Sequence, residues 1–292
     1  MKILIAGGSG FVGTNLAKHL SKKYSITLLS RTKKSLADFE ETITWDELNE
    51  TTISNFDIVI NLCGYNIGQK RWSKSVKEKI VSSRIEPTTK LLELIGDKGI
   101  WLMNASAIGF YSFSTDKQTE EKYLKIYDEN SFSQQIVEKW ENVVSKSNLS
   151  KYTLLRFGVV IGKGGVLDKM TMTAKLGLLT KFGGGQQLMS WISIHDLCRA
   201  FEFIIENNNS QKEVFNLTAP NATKNVDMID GIKKVTNAKL VMTMPECAIK
   251  LLFGQMGEEL LLSSQNIYPE KLIKKGFVFD DENVDSALKR YL

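Results

Sequence analysis

The chain has 292 residues, enough for one large α/β domain or for a large and a small one. A hydrophobic fraction of 42% and a charged fraction of 24% exclude a disordered or fibrous chain. The formal charge of +5 is spread along the sequence, with short doublets at Lys33-Lys34, Lys233-Lys234 and Lys274-Lys275, and reads as a solvated basic surface, not a nucleic-acid footprint. Cys63, Cys198 and Cys247 are odd in number and far apart, and His19 and His195 are the only histidines. That usage suits a reducing compartment and argues against a zinc site. The first residues do not read as a secretory signal, and no stretch approaches the roughly 20 apolar residues of a membrane span. The expectation is a cytoplasmic protein without a membrane, metal or nucleic-acid partner.

Lys2-Ile-Leu-Ile-Ala6 is apolar after Lys2, the pattern of a strand buried on both faces. Gly7-Gly8-Ser9-Gly10-Phe11-Val12-Gly13 follows at once, and Asn15 to Leu20 then repeats its apolar positions four apart, as a helix does. Strand, glycine loop and helix in that order suit a dinucleotide. The glycines allow a tight turn, close backbone approach to a pyrophosphate and close helix packing, with the phosphates at the positive helix N-terminus. Ser25 to Leu29 predicts the second strand, ending in Ser30-Arg31. An acidic residue at this place takes the ribose 2′-hydroxyl of NAD, whereas an arginine suits a 2′-phosphate. Ser30 and Arg31, followed by Thr32-Lys33-Lys34, therefore specify NADP.

Ile43-Thr-Trp45 predicts a short third strand, with Asp46 able to face an adenine amino group. Phe56 to Leu62 predicts a further buried strand, ending in Cys63-Gly64. Small residues there let the backbone lie against a cofactor, so Leu62, Cys63 and Gly64 are placed beside the dinucleotide, with Cys63 as a small apolar group and not a nucleophile. Gln69 to Arg84 is helical in pattern, Glu86-Pro87 interrupts it, and Thr88 to Ile95 is helical again. Ile100 to Met103 predicts a strand running into Asn104-Ala-Ser-Ala-Ile-Gly-Phe-Tyr111, which puts Ser106 where a ligand could meet it.

Ser112 to Tyr127 reads as a loop, Phe132 to Val144 as a helix and Lys151 to Val160 as one strand. Gly164-Gly165, Gly177 and Gly183-Gly184-Gly185 mark long loops suited to a substrate lid. Trp191 to Asp196 opens a helix reaching about Glu206, with Asp196 as its cap, and Val214 to Leu217 is a last strand before Ala219-Pro220. The remainder alternates helices, including a pair over Gly254 to Gln265, with short strands such as Leu240 to Met242. The expected fold is α/β: a Rossmann-type doubly wound parallel sheet with a smaller α+β C-terminal substrate lobe. Residues 1–160, completed by about 191–219, form the dinucleotide part; 161–190 and 220–292 form the substrate lobe.

GGSGFVG (7–13), SR (30–31), NLCGYNI (61–67), RW (71–72), SR (83–84), SAIGFY (106–111), WE (140–141), RFGVVIGKGG (156–165), GGGQQLMSWI (183–192) and SSQNIYPEKLIKKGFVF (263–279) occur in this order. Through them the whole chain resembles the extended short-chain dehydrogenase/reductase superfamily. Within that superfamily it is most similar to the SDR39U1/YfcH-like epimerase family proteins, which carry a C-terminal domain of unassigned function. The resemblance implies NADP contacts from Gly7, Gly10, Phe11, Val12, Ser30, Arg31, Leu62, Cys63, Arg84 and Val159, with Gly13 and Gly64 in the same loops. Three departures lie where substrate would sit. The family's NLAGE reads Asn61-Leu-Cys-Gly-Tyr65, its W-I-H reads Trp191-Ile-Ser193, and its K-M-x-P-P-F reads Lys169-Met-Thr-Met-Thr-Ala174.

The superfamily's chemistry uses a serine and a tyrosine four residues before a lysine, whose charge lowers the phenol pKa for proton transfer. No tyrosine of this chain has a lysine four residues later, and counting back from Glu141 puts Ser133 and Val137 at the two positions. Tyr152 and Arg156 share the spacing but lie in a strand. Ser106 stands at the superfamily serine and Tyr111 is the nearest phenol, so these two are the candidate catalytic residues. The resemblance implies an NADP-dependent oxidoreductase or nucleoside-diphosphate-sugar epimerase acting on a small carbonyl or hydroxyl compound. The alternative is a catalytically inactive NADP-binding sensor or interaction protein.

Overall fold

The computed structural model describes residues 1–33, 41–124, 128–207 and 210–292. Lys34 of the expected basic turn and Tyr127 at the end of the expected loop lie outside them. Seven strands form the central sheet: β1 (Lys2–Ala6), β2 (Ser25–Ser30), β3 (Glu41–Thr44), β4 (Ile58–Asn61), β5 (Trp101–Ala107), β6 (Tyr152–Phe157) and β7 (Lys212–Leu217). They are all parallel, in the spatial order β7-β6-β5-β4-β1-β2-β3. The order reverses between β1 and β4, so a crevice opens at their C-terminal ends.

Alternation along β1 explains why the sheet is covered on both faces. Ile3 and Ile5 join one core with Leu16 and Leu20 of α1 (Phe11–Leu20), whereas Leu4 and Ala6 join another with Leu91 and Ile95 of α2 (Lys74–Ile95). On the second face α2 is accompanied by α3 (Phe132–Ser145), which buries Val144 there, and on the first α1 is accompanied by α4 (Ile194–Asn207), which buries Leu197 and Phe201. A third core joins Leu167, Leu179 and Trp191 to Met228, Ile232 and Leu288 of the C-terminal part.

Five expectations about the elements are corrected. The helix runs unbroken from Lys74 to Ile95 with Pro87 inside it. Proline removes one N–H, but Ile80, Thr88, Leu91 and Ile95 continue one buried face through it. The strand expected over Lys151–Val160 divides at Gly158, where a Cβ would lie 2.9 Å from the Ser190 carbonyl oxygen, and Val159–Ile161 instead pairs with Trp191–Ser193. The expected loop after Ser112 contains a strand, Ser114–Gln118, whose partner Gln265–Ile267 lies far along the chain. Gly254–Gln265 is not a helix pair but a short helix, Gln255–Gly257, followed by a π-helical turn, Glu258–Leu262. The lid region likewise holds a helix, Val166–Thr171, and a strand, Leu178–Phe182, paired in parallel with Leu240–Met244.

Candidate functional site: a glycine-lined crevice and a buried polar network

Sterics explain the glycine loop. Gly7 has φ +76°, and a Cβ there would lie 2.9 Å from the Leu62 carbonyl and 3.0 Å from the Cys63 nitrogen, so β1 and β4 meet backbone to backbone at the crevice. A Cβ on Gly13 would lie 2.5 Å from the Gly8 Cα, which fixes how closely α1 packs on the loop. Gly10 is open beyond the Gly7 oxygen at 3.5 Å, and as N-cap of α1 it places no side chain on the first-turn N–H groups of Phe11, Val12 and Gly13. A Cβ-free approach to bare helix N–H groups is a cradle for a pyrophosphate. The Phe11 ring is walled by a second glycine turn, since Cβ atoms on Gly162, Gly164 and Gly165 would lie 3.0, 3.3 and 2.8 Å from it.

Ser30 ends β2 with its hydroxyl donating to the Thr32 carbonyl, and Arg31 beyond it is exposed. Burial pushes the Cys63 thiol up to about 12 despite the opposing pull of Arg31, so Cys63 is a protonated filler. Arg84 reaches from α2 to Gly64, whose Cβ would lie 3.1 Å from Cζ, and donates to the Tyr65 and Ile80 carbonyls at 3.0 Å each. Burial lowers its pKa to about 10, and the Trp140 ring flanks the guanidinium at 5.3 Å. Val159 begins the short strand beyond β6. Gly7, Gly10, Leu62, Cys63, Gly64 and Arg84 thus meet at one strand end, with Ser30 and Arg31 at the next. Asp46 is exposed beyond β3.

Ser106, Arg156 and Asn216 lie in register across β5, β6 and β7. Ser106 Oγ donates to Glu141 Oε1 at 2.6 Å, and Arg156 grips both carboxylate oxygens at 2.8 and 2.7 Å. Arg156 also donates to the Tyr111 hydroxyl at 2.9 Å, which donates onward to Asn216 Oδ1 at 2.8 Å. Ser106 and Tyr111 therefore share one network but are separated by an ion pair. Tyr111 is fully buried, and burial raises its pKa to about 12.

On α3, Val137 is buried in an apolar cluster with Trp72, Ile80, Phe132, Ile136 and Met256. Ser133, one turn earlier, donates to Glu259 from both Oγ (2.5 Å) and N (2.9 Å). Glu259 had no signal in the sequence, because 126 residues separate it from Ser133. Asp196 is corrected as a cap: Ser193 Oγ accepts the Asp196 N–H, while the buried Asp196 carboxylate accepts the Asp280 and Asp281 N–H groups and Arg199. His195 pairs with Asp280 at 2.8 Å on the same seam.

A parallel α/β sheet with a glycine loop at its switch point, bare helix N–H groups and a basic residue just beyond β2 defines a Rossmann-type dinucleotide-site protein. The chain belongs to the NAD dependent epimerase/dehydratase family, whose model matches residues 3–218, while residues 244–291 match a domain of unknown function, DUF1731. It is 33% identical over 299 residues to an epimerase family protein, Mb2239, of Mycobacterium bovis, covering 98% of this chain and 96% of the relative. The crystal structure of human epimerase family protein SDR39U1 with NADPH is similar with a TM-score of 0.87 at 26% identity, covering 99% and 98% of the two chains. UDP-glucuronic acid 4-epimerase from Bacillus cereus, in complex with UDP-glucuronic acid and NAD, shares the fold at TM-score 0.78 and 17% identity over 99% and 97%. Among the described residues no helix is long and apolar enough to cross a membrane.

Proposed function

We propose that the protein is an NADP-dependent oxidoreductase or epimerase-like enzyme of the cytoplasm, acting on a small carbonyl or hydroxyl compound such as a sugar nucleotide. The observation carrying this reading is the Cβ-free cradle at Gly7 and Gly10 over the bare N-terminus of α1, with Ser30 and Arg31 one strand away. In it Phe11, Val12 and Gly13 offer N–H groups to the pyrophosphate, Ser30 and Arg31 take the 2′-phosphate, and Leu62, Cys63, Gly64, Arg84 and Val159 flank the rest. Residues 1–160 with 191–219 bind the nucleotide, and 161–190 with 220–292 close over the substrate. When bound, the nicotinamide supplies or accepts a hydride. Ser106, whose own proton is committed to Glu141, orients a substrate hydroxyl by accepting from it.

The human relative crystallised with NADPH supports the cofactor half of this reading. The buried phenol of Tyr111 and the apolar setting of Val137 favour the second reading, nucleotide binding without turnover. NADPH oxidation over a panel of sugar nucleotides, ketones and aldehydes separates the two: turnover that Ser106→Ala abolishes supports the enzyme, and tight NADPH binding with no turnover on any compound supports the binder. Arg31→Ala is expected to weaken NADPH binding roughly tenfold or more and leave NADH unchanged. Equal loss for both nucleotides in a fluorescence titration would remove Arg31 from the 2′-phosphate site.

A further inference from the structure

We infer that the substrate of this site carries an apolar body, and that an open sheet face rich in methionine and leucine in the substrate lobe holds it, in place of a sugar nucleotide. The inference rests on the enzyme reading above and narrows its substrate class. The face belongs to the parallel strand pair Leu178–Phe182 and Leu240–Met244, whose register sets Leu178 beside Leu240, Thr180 beside Met242 and Phe182 beside Met244. Side chains alternate across a strand, so these six share one face while Leu179 and Val241 take the other. Leu179 and Val241 pack in the third core with Met228 and Ile232 of the helix Asn225–Thr236. None of the six joins that core, and Leu240 and Met242 are 57% and 53% exposed.

The elements beside the strand pair turn its open face toward the nucleotide crevice. Leu178–Phe182 is flanked by the helix Val166–Thr171, which starts at the glycine turn around the Phe11 ring and whose Lys169 Nζ donates to the Gly68 carbonyl at 3.2 Å. Leu240–Met244 is flanked by the helix Glu246–Phe253, which follows it after Pro245; a Cβ on Gly254 at the end of that helix would lie 3.3 Å from Arg71 Nε. Gly68 and Arg71 belong to the segment leaving the C-terminal end of β4, where ligands of open α/β sheets sit. Both flanking helices therefore reach the crevice wall, and the helix Asn225–Thr236 covers the face turned away from it.

The chemistry of the face selects its ligand. Its one polar group is the Thr180 hydroxyl, and it holds no charged residue. A nucleoside diphosphate needs cations at its phosphates, arginine above all. The lobe formed by 161–190 and 220–292 has one arginine, Arg290, and Asp281 engages it at 3.0 Å. The cations at the rim are Arg71, lying over Gly254, and Lys169, already engaged on the Gly68 carbonyl. Contiguous exposed apolar surface of this kind marks a ligand site, and flexible methionines adapt it to irregular shapes. The strands rise about 13 Å from Leu240 to Met244, enough for an extended alkyl chain or fused rings. With its body on this face, the substrate turns its carbonyl or hydroxyl end to the crevice, where the nicotinamide and Ser106 meet it.

Calorimetric titration of the NADPH-loaded protein with straight-chain ketones from butanone to decanone, and with UDP-glucose, tests this without relying on turnover. Ketone affinity is expected to rise about fourfold per methylene. Leu240→Asn and Met242→Gln are each expected to weaken decanone binding about tenfold and to leave NADPH affinity unchanged. Both side chains are half exposed, so thermal unfolding of the two variants is expected to match the parent. Affinity that is flat with chain length or unchanged in both variants, or binding of UDP-glucose instead, overturns this inference and leaves the enzyme reading standing. A dimer in light scattering that both variants dissolve assigns the face to a second copy of the chain and overturns it as well. NADPH oxidation is followed separately: ketones that bind as expected, with no turnover of them or of any other compound, overturn the enzyme reading and leave an apolar ligand site.

Discussion

At the scale of single residues, burial decides which reactive-looking groups are reactive. Cys63 beside the glycine loop and Cys198 on α4 both have thiols pushed up to about 12 by burial, whereas Cys247 is exposed. The thiolate is the nucleophile, so at pH 8 iodoacetamide is expected to modify Cys247 alone, and rapid alkylation of Cys63 seen by mass spectrometry would contradict its role as filler. The Glu141–Arg156 pair follows the same logic with charge. Each partner is nearly inaccessible, and losing one strands the other. Arg156→Met is expected to cost about 3–5 kcal/mol in urea unfolding, and the double variant with Glu141→Gln to recover much of it. Additive losses would mean that the pair is not coupled. The sequence showed Ser106, Glu141 and Arg156 as separate letters in separate motifs; the register of β5 with β6 sets Ser106 beside Arg156, and the packing of α3 on the sheet brings Glu141 to both.

Among the secondary elements, the glycine loop and α1 were legible because their reasons are local: a buried strand, a tight turn and an apolar helix face all lie within twenty residues. Gly13→Ala tests that reading. Its Cβ would lie within 2.5–2.7 Å of Gly8 backbone atoms, so α1 must shift, at a cost of about 1–3 kcal/mol in thermal or urea unfolding and with weakened NADPH binding. An alanine variant as stable as the parent would show that α1 has room to move. The elements misread were those whose reasons are distant. Ser114–Gln118 is polar and lacks strand periodicity, and it becomes a strand because Gln265–Ile267 pairs with it. Pro87 is a local signal against a helix that is overridden by a buried face continuous from Ile80 to Ile95. At Gly158 the chain must leave the sheet to pair with Trp191–Ser193, which no local pattern announces.

For the whole molecule, the C-terminal part is tied to the sheet by buried carboxylates. Asp196 on α4 holds the Asp280 and Asp281 N–H groups, Asp281 in turn pairs with Arg290 at 3.0 Å, and Glu259 holds the first turn of α3. Asp196→Ala is expected to destabilise the protein by about 3 kcal/mol and to open the chain near residue 280 to limited proteolysis, with the cleavage site read by mass spectrometry. Unchanged proteolysis would assign the seam to its apolar contacts alone. The sequence by itself determined the parallel sheet, its nucleotide crevice and the basic end of β2, because strand burial, glycine turns and charge are written in neighbouring residues. It also shows that no tyrosine has a lysine four residues later. Only the tertiary structure decided the surroundings of Val137 and Ser133, an apolar cluster around the first and the Glu259 carboxylate against the second. Those contacts join segments more than a hundred residues apart, and packing, not spacing, brings them together.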